Sequence, residues 1–139
     1  MIVADASAIV KLVIHEPESE LVFNKFQSFF EDEETIFSPE ITLTESLNVI
    51  WKHYLLLKNL SQNDLRLSID ALFAIWSKIN KVNSEPISKY ATNIAIDYKI
   101  SVYDSLYLAY CKLNYGKLFT FDNELSRAAK SLGVQTIKL

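Results

Sequence analysis

One stretch decides the fold: Ile100-Ser101-Val102-Tyr103-Asp104-Ser105-Leu106-Tyr107-Leu108-Ala109-Tyr110-Cys111. Its apolar residues recur at helical spacing and also fill the opposite side, which predicts a helix that is buried all round. Asp104 lies in the first turn of this helix, where a buried carboxylate costs several kcal/mol unless it is compensated. The helix N-terminus supplies only about 0.3–1 kcal/mol. A cation beside Asp104 would supply the rest, so the positions of the other acids become the question.

Size and composition describe a soluble globular protein. The chain has 139 residues, of which 50% are hydrophobic and 22% charged, and we expect one domain over residues 1–139. No apolar run is longer than Leu106–Cys111, which is too short to span a bilayer, and no signal peptide is visible. We therefore expect no membrane partner and a cytoplasmic location. The net charge of −3 gives no bulk attraction to nucleic acid, although a nuclease needs only a local basic patch.

Short apolar runs alternate with helical patterns along the chain. This alternation predicts an α/β fold with a central parallel sheet and helices on both faces. Pro17 is expected in the first turn of the second helix, Gly116 at the end of the Asp104 helix, and Gly133 as the cap of the last helix. With only two glycines, the chain has no Gly-rich phosphate loop. The predicted strands are Met1–Ala4, Thr35–Ser38, Lys81–Asn83, Leu118–Phe121 and Val134–Ile137.

Four acids are expected at one end of this sheet. Asp5 and Asp122 each follow a strand of the buried type and precede a helix. In an open parallel sheet, ligands bind beyond the carboxyl ends of the strands. Glu45 lies on the polar stripe of a long helix, one turn inside its start, and Asp104 begins the buried helix.

Each acid also has an ordinary interpretation. Asp5, Asp104 and Asp122 could cap the helices that follow them, and Glu45 could be a solvated helix residue. Their combination favours a site, because a cap does not need to follow a strand buried on both faces. Bunched carboxylates suit Mg²⁺ or Mn²⁺, which prefer hard oxygen ligands. One cysteine and two histidines, at no ligand-like spacing, disfavour a soft-metal site and a Ser/His/Asp triad.

These residues lie in segments that resemble the PIN-domain nucleases, especially the VapC-type toxins of toxin–antitoxin pairs. The segments are Met1–Ser7, with the first acid; Pro39–Asn48, with the second; Ser101–Ala109, the Tyr-Asp helix start; and Leu118–Leu125, the Thr-x-Asp segment. Each motif alone is weak, but all of them occur here in the family's order, in a chain of family-like length.

The resemblance implies a PIN-like three-layer fold with a parallel sheet of about five strands. It also implies Mg²⁺- or Mn²⁺-dependent endonucleolytic cleavage of single-stranded RNA, an antitoxin partner and a homodimer. Asp5 and Asp104 would hold the metal most directly, with Asp122 and Glu45 acting partly through water or on a second metal. The residues expected to orient these carboxylates by hydrogen bonds are Ser7, Asn48 and Thr120.

Several assignments have alternatives. Lys11, Lys52 and Arg127 lie within a turn or two of a proposed ligand and are candidates for phosphate contacts, although exposed basic residues often serve only solubility. Glu40 is a rival for the role of Glu45. A PIN domain that acts in RNA processing, or that binds RNA or protein without catalysis, is the main functional alternative. A receiver-type phosphotransfer domain is a third, but Asp5-Ala6-Ser7 lacks the adjacent acids that such a domain would need.

Overall fold

Four short parallel strands form one sheet in the computed structural model, which describes residues 1–139. Their spatial order is β3-β2-β1-β4. Val3 of β1 lies opposite Phe37 on one side and Leu118 on the other. β1 is therefore a central strand, and its carboxyl end lies near the middle of the row of strand ends. The strands are β1 (Ile2–Ala4), β2 (Ile36–Pro39), β3 (Asn80–Val82) and β4 (Lys117–Phe119).

Helices occupy both faces of this sheet. Side chains alternate along a strand, and in β1 Ile2 and Ala4 pack into one buried cluster while Val3 packs into the other. The first cluster lies under α1 to α4 and the second under α5 to α7. The predicted three-layer α/β fold is therefore confirmed. The helices are α1 (Ala6–Val10), α2 (Ser19–Glu31), α3 (Ile41–Leu55), α4 (Gln62–Trp76), α5 (Ser88–Tyr98), α6 (Val102–Asn114) and α7 (Asn123–Leu132).

The sheet has four strands rather than the five that were expected. The segment predicted as the last strand, Val134–Ile137, makes a single bridge, between Thr136 and Leu118. Only two backbone hydrogen bonds hold it there, from Leu118 N to Gln135 O and from Ile137 N to Leu118 O, each 2.8 Å long. Val134 is its one buried residue. The segment lies at an edge with little apolar surface to bury, so pairing stops after one bridge.

The prediction that α6 is buried on every side is wrong. Tyr107, Leu108 and Cys111 are buried, but Val102 and Leu113 are 43% and 53% exposed. The apolar residues at the two ends of α6 therefore face solvent, and only its middle lies between the sheet and α5. Asp104, in the exposed first turn, is only half-buried. Asp104 is therefore not buried deeply enough to carry the large desolvation cost expected there.

Two helix boundaries also differ from expectation. Pro17 does not open α2, because Glu18 takes a left-handed conformation (φ 75°) and the helix begins at Ser19. The left-handed residue that ends α6 is Tyr115 (φ 56°) rather than Gly116. A Cβ at Gly116 would lie 2.6 Å from Cε of Met1, a contact that the flexible end of the Met1 side chain can relieve by moving. The prediction for Gly133 is confirmed, with φ 74° at the end of α7. None of the helices has the length and apolar character needed to cross a bilayer.

Candidate active site

Asp5 is the buried acid of the molecule. It directly follows β1 and caps α1, and only 4% of it is exposed. Its Oδ1 accepts hydrogen bonds from the backbone N–H of Ala8 (3.0 Å) and from the Ser7 hydroxyl (2.7 Å), and its Oδ2 accepts one from the Thr120 hydroxyl (2.5 Å). Three donors from two segments of chain therefore fix the orientation of this carboxylate.

Burial raises the pKa of Asp5 to about 6, even though the hydrogen bonds from Thr120, Ser7 and Ala8 lower it. The negative charge of Asp122 adds to the rise. Near neutral pH the protein thus carries a desolvated carboxylate that its own donors compensate only in part. A bound cation would compensate the remainder.

The hydroxyls beside Asp5 also hold the segment that carries Asp122. Ser7 accepts a hydrogen bond from Phe121 N (2.8 Å), and Thr120 accepts one from Asp122 N (3.0 Å). Asp122 caps α7 through a bond from Leu125 N to Oδ1 (2.7 Å), and its side chain is exposed. β4 ends at Phe119, so Asp122 follows the strand after a two-residue interval rather than directly.

Glu45 projects from α3 toward α6. The hydroxyl of Tyr107 donates a hydrogen bond of 2.5 Å to Glu45 Oε2. Burial raises the pKa of Glu45, the bond from Tyr107 lowers it, and the charge of Asp104 raises it. The inward orientation of Glu45 is therefore accompanied by a contact that the sequence did not reveal. The only hint was that Tyr107 lies one helical turn after Asp104.

Asp104 occupies a capping box. Ser101 caps α6 by accepting a bond from Asp104 N (3.0 Å), and its hydroxyl donates to Asp104 Oδ2 (2.7 Å). The acids thus interact as two pairs, Asp5 with Asp122 and Glu45 with Asp104. Burial raises the pKa of Tyr107, and the negative charges of Glu45 and, to a lesser extent, Asp5 add to the rise.

The donor set fits a hard divalent cation in chemistry. All four side chains are carboxylates, the ligand type that Mg²⁺ and Mn²⁺ prefer, and like charges in each pair repel when ionised. As the side chains stand, however, no three of the chain's His, Cys, Asp and Glu residues form a group that could hold a metal ion. The acids interact in two pairs and do not form a finished cage.

The remaining predicted site residues differ in how free their side chains are to contact a ligand. Lys11 is held by Glu16 (3.3 Å) and Glu18 (3.7 Å), with 14% of its side chain exposed. Lys52 is exposed and makes no ion pair, and Arg127 is exposed with its Nε bonded to the carbonyl of its own helix at Asn123. Asn48 of α3 and the rival acid Glu40, which immediately precedes that helix, are both exposed and make no side-chain hydrogen bond.

The chain is similar to known proteins over almost its whole length. Ribonuclease VapC3 of Pyrobaculum aerophilum is 26% identical over 134 residues, which cover 94% of this chain and 96% of the relative. The structure of PAE2754 from Pyrobaculum aerophilum superposes with a TM-score of 0.73 at 18% identity, over 97% of this chain and 82% of that one. A chain in a toxin–antitoxin complex from Klebsiella pneumoniae gives a TM-score of 0.62 at 15% identity, covering 88% and 87% of the two chains.

At these identities the two structural likenesses establish the fold and nothing finer. Membership of a family rests instead on sequence. The pattern of residues that defines the PIN domain is matched by residues 2–131, a range that contains β1 to β4, α1 to α6 and most of α7. It includes Asp5, Glu45, Asp104 and Asp122. The resemblance seen in the sequence is confirmed, and the chain belongs to the PIN domain family.

Proposed function

We propose that this chain is a metal-dependent endoribonuclease that cleaves single-stranded RNA, and that it is the toxin of a toxin–antitoxin pair acting in the cytoplasm. Residues 1–139 act as one PIN domain in this proposal. The observation that carries it is the buried carboxylate of Asp5, which three donors fix in one orientation and whose pKa the charge of Asp122 raises further. The name of the relative Ribonuclease VapC3 supports the choice of RNA as substrate.

The proposed ligands of Mg²⁺ or Mn²⁺ are Asp5, Glu45, Asp104 and Asp122. When bound, such an ion orients a water, lowers its pKa and stabilises charge on a phosphodiester. Ser7 and Thr120 hold the Asp5 carboxylate in one orientation. Asp122 is exposed where the substrate would arrive. Lys52 and Arg127 are free to contact phosphates, whereas Lys11 must first leave Glu16 and Glu18.

The proposal is tested by replacing Asp104 with Asn and measuring cleavage of single-stranded RNA in Mg²⁺ or Mn²⁺. Loss of one ligand should slow cleavage on the order of a hundredfold, by analogy with the removal of one group that stabilises a transition state. Asp97→Asn is the matched control, because Asp97 is an exposed acid on the neighbouring helix α5. Undiminished cleavage by Asp104→Asn would contradict the assignment.

An antitoxin and a second copy of the chain are the proposed protein partners. The likeness to a chain in a toxin–antitoxin complex supports the first. The chain also exposes large apolar side chains that a partner would cover, among them Phe23 and Phe30 of α2 at 58% and 48%. Co-purification with the product of the adjacent reading frame tests the antitoxin, and light scattering of the isolated chain tests the homodimer.

A catalytically silent PIN domain is the second candidate, with or without a role in RNA processing. It is favoured by one observation, that no three acids stand close enough to hold an ion together. Calorimetry separates the two candidates. A folded chain that takes up no Mn²⁺ at neutral pH supports the silent module, whereas binding that requires Asp5 supports the nuclease.

A further inference from the structure

A buried phenol connects the two helices that carry Glu45 and Asp104. Tyr107 belongs to α6 and is 1% exposed. Its hydroxyl lies 2.5 Å from Glu45 Oε2 and 2.8 Å from Thr42 Oγ1, both on α3. Thr42 and Glu45 are three residues apart and therefore share one face of that helix. One side chain of α6 thus contacts two polar groups of α3 at once.

The direction of this hydrogen-bond chain follows from the donors available. A carboxylate only accepts, and a phenol has one proton to donate. Because Tyr107 donates that proton to Glu45, its oxygen must accept from the Thr42 hydroxyl. The chain therefore runs from Thr42 through Tyr107 to Glu45. Bonds arranged in series in this way strengthen one another in a medium of low dielectric constant.

Glu45 needs such a support more than the other acids. Asp5 has three donors, and Asp104 and Asp122 are held at helix starts by bonds of their own. Glu45 has a longer side chain, and its only hydrogen bond comes from Tyr107. The adjacent charge of Asp104 repels it. Without the phenol, this carboxylate would be free to turn away toward solvent.

We propose that Tyr107 is a positioning residue, which with Thr42 holds the Glu45 carboxylate on the side of α3 that faces α6 and Asp104. The proposal rests on the function proposed above, in which Glu45 is a ligand of the divalent cation. Tyr107 itself contacts neither the cation nor the RNA. It fixes Glu45 before the cation arrives, so that binding does not have to order that side chain.

The test compares Tyr107→Phe, which removes one oxygen atom, with Tyr110→Phe as the matched control. Tyr110 is on the same helix, and its ring packs against Phe37 while its hydroxyl makes no hydrogen bond. In the metal-free protein, proton NMR should show a slowly exchanging hydroxyl resonance downfield of the amides. We expect this resonance to vanish in Tyr107→Phe, to move upfield in Glu45→Gln, whose neutral amide oxygen is a weaker acceptor than a carboxylate, and to persist unshifted in Tyr110→Phe.

Mn²⁺ binding, measured by calorimetry at constant pH, provides the second readout. Tyr107→Phe should weaken binding roughly 10–100-fold, as is usual when the partner of a metal ligand is removed, and Tyr110→Phe should leave it unchanged. In a Glu45→Gln background, Tyr107→Phe should weaken Mn²⁺ binding by less than about a further twofold. The carboxylate that Tyr107 holds is absent from that background. Thr42→Val should weaken binding in the same direction and guards against a Tyr107 variant that fails to fold.

The outcomes separate the two proposals. Absence of Mn²⁺ binding by the wild-type chain counts against the nuclease, and the hydroxyl resonance then decides alone whether Tyr107 holds Glu45. Normal Mn²⁺ binding by folded Tyr107→Phe, or an equal loss in the Glu45→Gln background, overturns the positioning role. A lower melting temperature with unchanged Mn²⁺ affinity would likewise mean that Tyr107 serves only to pack α6 against α3.

Discussion

Asp5 is the residue at which stability and proposed function oppose each other. Its carboxylate is buried at the end of a central strand, and the fold supplies three hydrogen bonds without restoring its ordinary pKa. An Asn at this position would keep most of the shape and would carry no charge to desolvate. Retaining an acid at a site that destabilises the fold is typical of a functional group, because activity and stability often conflict at such positions.

This conflict predicts how stability depends on pH. The pKa of Asp5 is about 6 in the folded chain and 3.8 as its reference value, so the folded state binds the proton more tightly. The stabilisation that the fold gains from protonated Asp5 is complete below pH 3.8 and is lost as the pH rises through about 6. The difference in free energy of unfolding between Asp5→Asn and wild type should therefore change in favour of Asp5→Asn by up to about 3 kcal/mol between pH 4 and pH 7.

Urea unfolding of the metal-free protein across that pH range measures the difference. Asp64→Asn is a suitable control, since Asp64 is an exposed acid in the capping box of α4. Comparison of the two variants separates the contribution of Asp5 from that of other groups, such as Glu45, whose pKa is also raised. If the free energies of unfolding of wild type and Asp5→Asn changed with pH in parallel, Asp5 would not be the acid whose pKa is raised by folding.

The sequence anticipates local contacts around the acids better than distant ones. Ser7 lies two residues after Asp5, and Thr120 lies at the carboxyl end of the neighbouring strand, so the parallel sheet alone brings them near. The bond from Tyr107 to Glu45 joins residues 62 positions apart. It depends on how α3 and α6, which lie in the layers on opposite faces of the sheet, come together, and no periodicity in the sequence specifies this.

Helix ends are the elements in which sequence and structure disagree most. A glycine signals a left-handed cap, and Gly133 fulfils that expectation. At the end of α6, however, the left-handed position falls one residue earlier, on Tyr115, and the glycine follows it. Lys99 caps α5 in the same strained conformation. Such positions depend on how the chain reaches the next element, and composition alone does not mark them.

Tyr115 therefore offers a stabilising substitution. Its side chain is 96% exposed, so little packing is lost on replacement, and a non-glycine residue in the left-handed region costs roughly 1–2 kcal/mol. Tyr115→Gly should raise the free energy of unfolding by about 0.5–1 kcal/mol after the entropy of glycine in the unfolded chain is deducted. Urea denaturation measures the change.

Tyr115→Ala is the control for this prediction. It removes the same ring but keeps the Cβ that makes the left-handed conformation unfavourable. We expect its stability to stay within about 0.5 kcal/mol of wild type, as for most exposed substitutions. If the alanine variant gained as much as the glycine variant, the exposed ring rather than the backbone would be the source of strain.

At the scale of the whole molecule, topology brings the acids together. All four strands are parallel, so their carboxyl ends lie at the same end of the sheet. The chain emerges at that end after β1, β2 and β4, and α6 reaches it from the opposite layer. The alternation of strands and helices was sufficient to predict this architecture. The number of strands was not, because the weak fifth segment depends on packing at the edge.

The convergence of negative charge predicts that a divalent cation will stabilise the folded chain. An ion that binds only the folded state adds about 2.7 kcal/mol at a hundred times its dissociation constant. For a chain of this size, that corresponds to roughly 8 °C in melting temperature. Thermal unfolding in Mg²⁺ or Mn²⁺ should show this rise, and NaCl at matched ionic strength should not, because screening alone does not bridge the carboxylates.

Variants of the acids decide whether the rise comes from the proposed site. Asp5→Asn and Asp104→Asn should each lose most of the Mn²⁺-induced rise, since each removes a ligand from a different carboxylate pair. The Asp97→Asn control should keep it. Without metal, the free energy of unfolding of Asp5→Asn should depend less on pH than that of wild type, and added Mn²⁺ should raise it less. A rise of equal size in all variants would place the cation elsewhere on the surface.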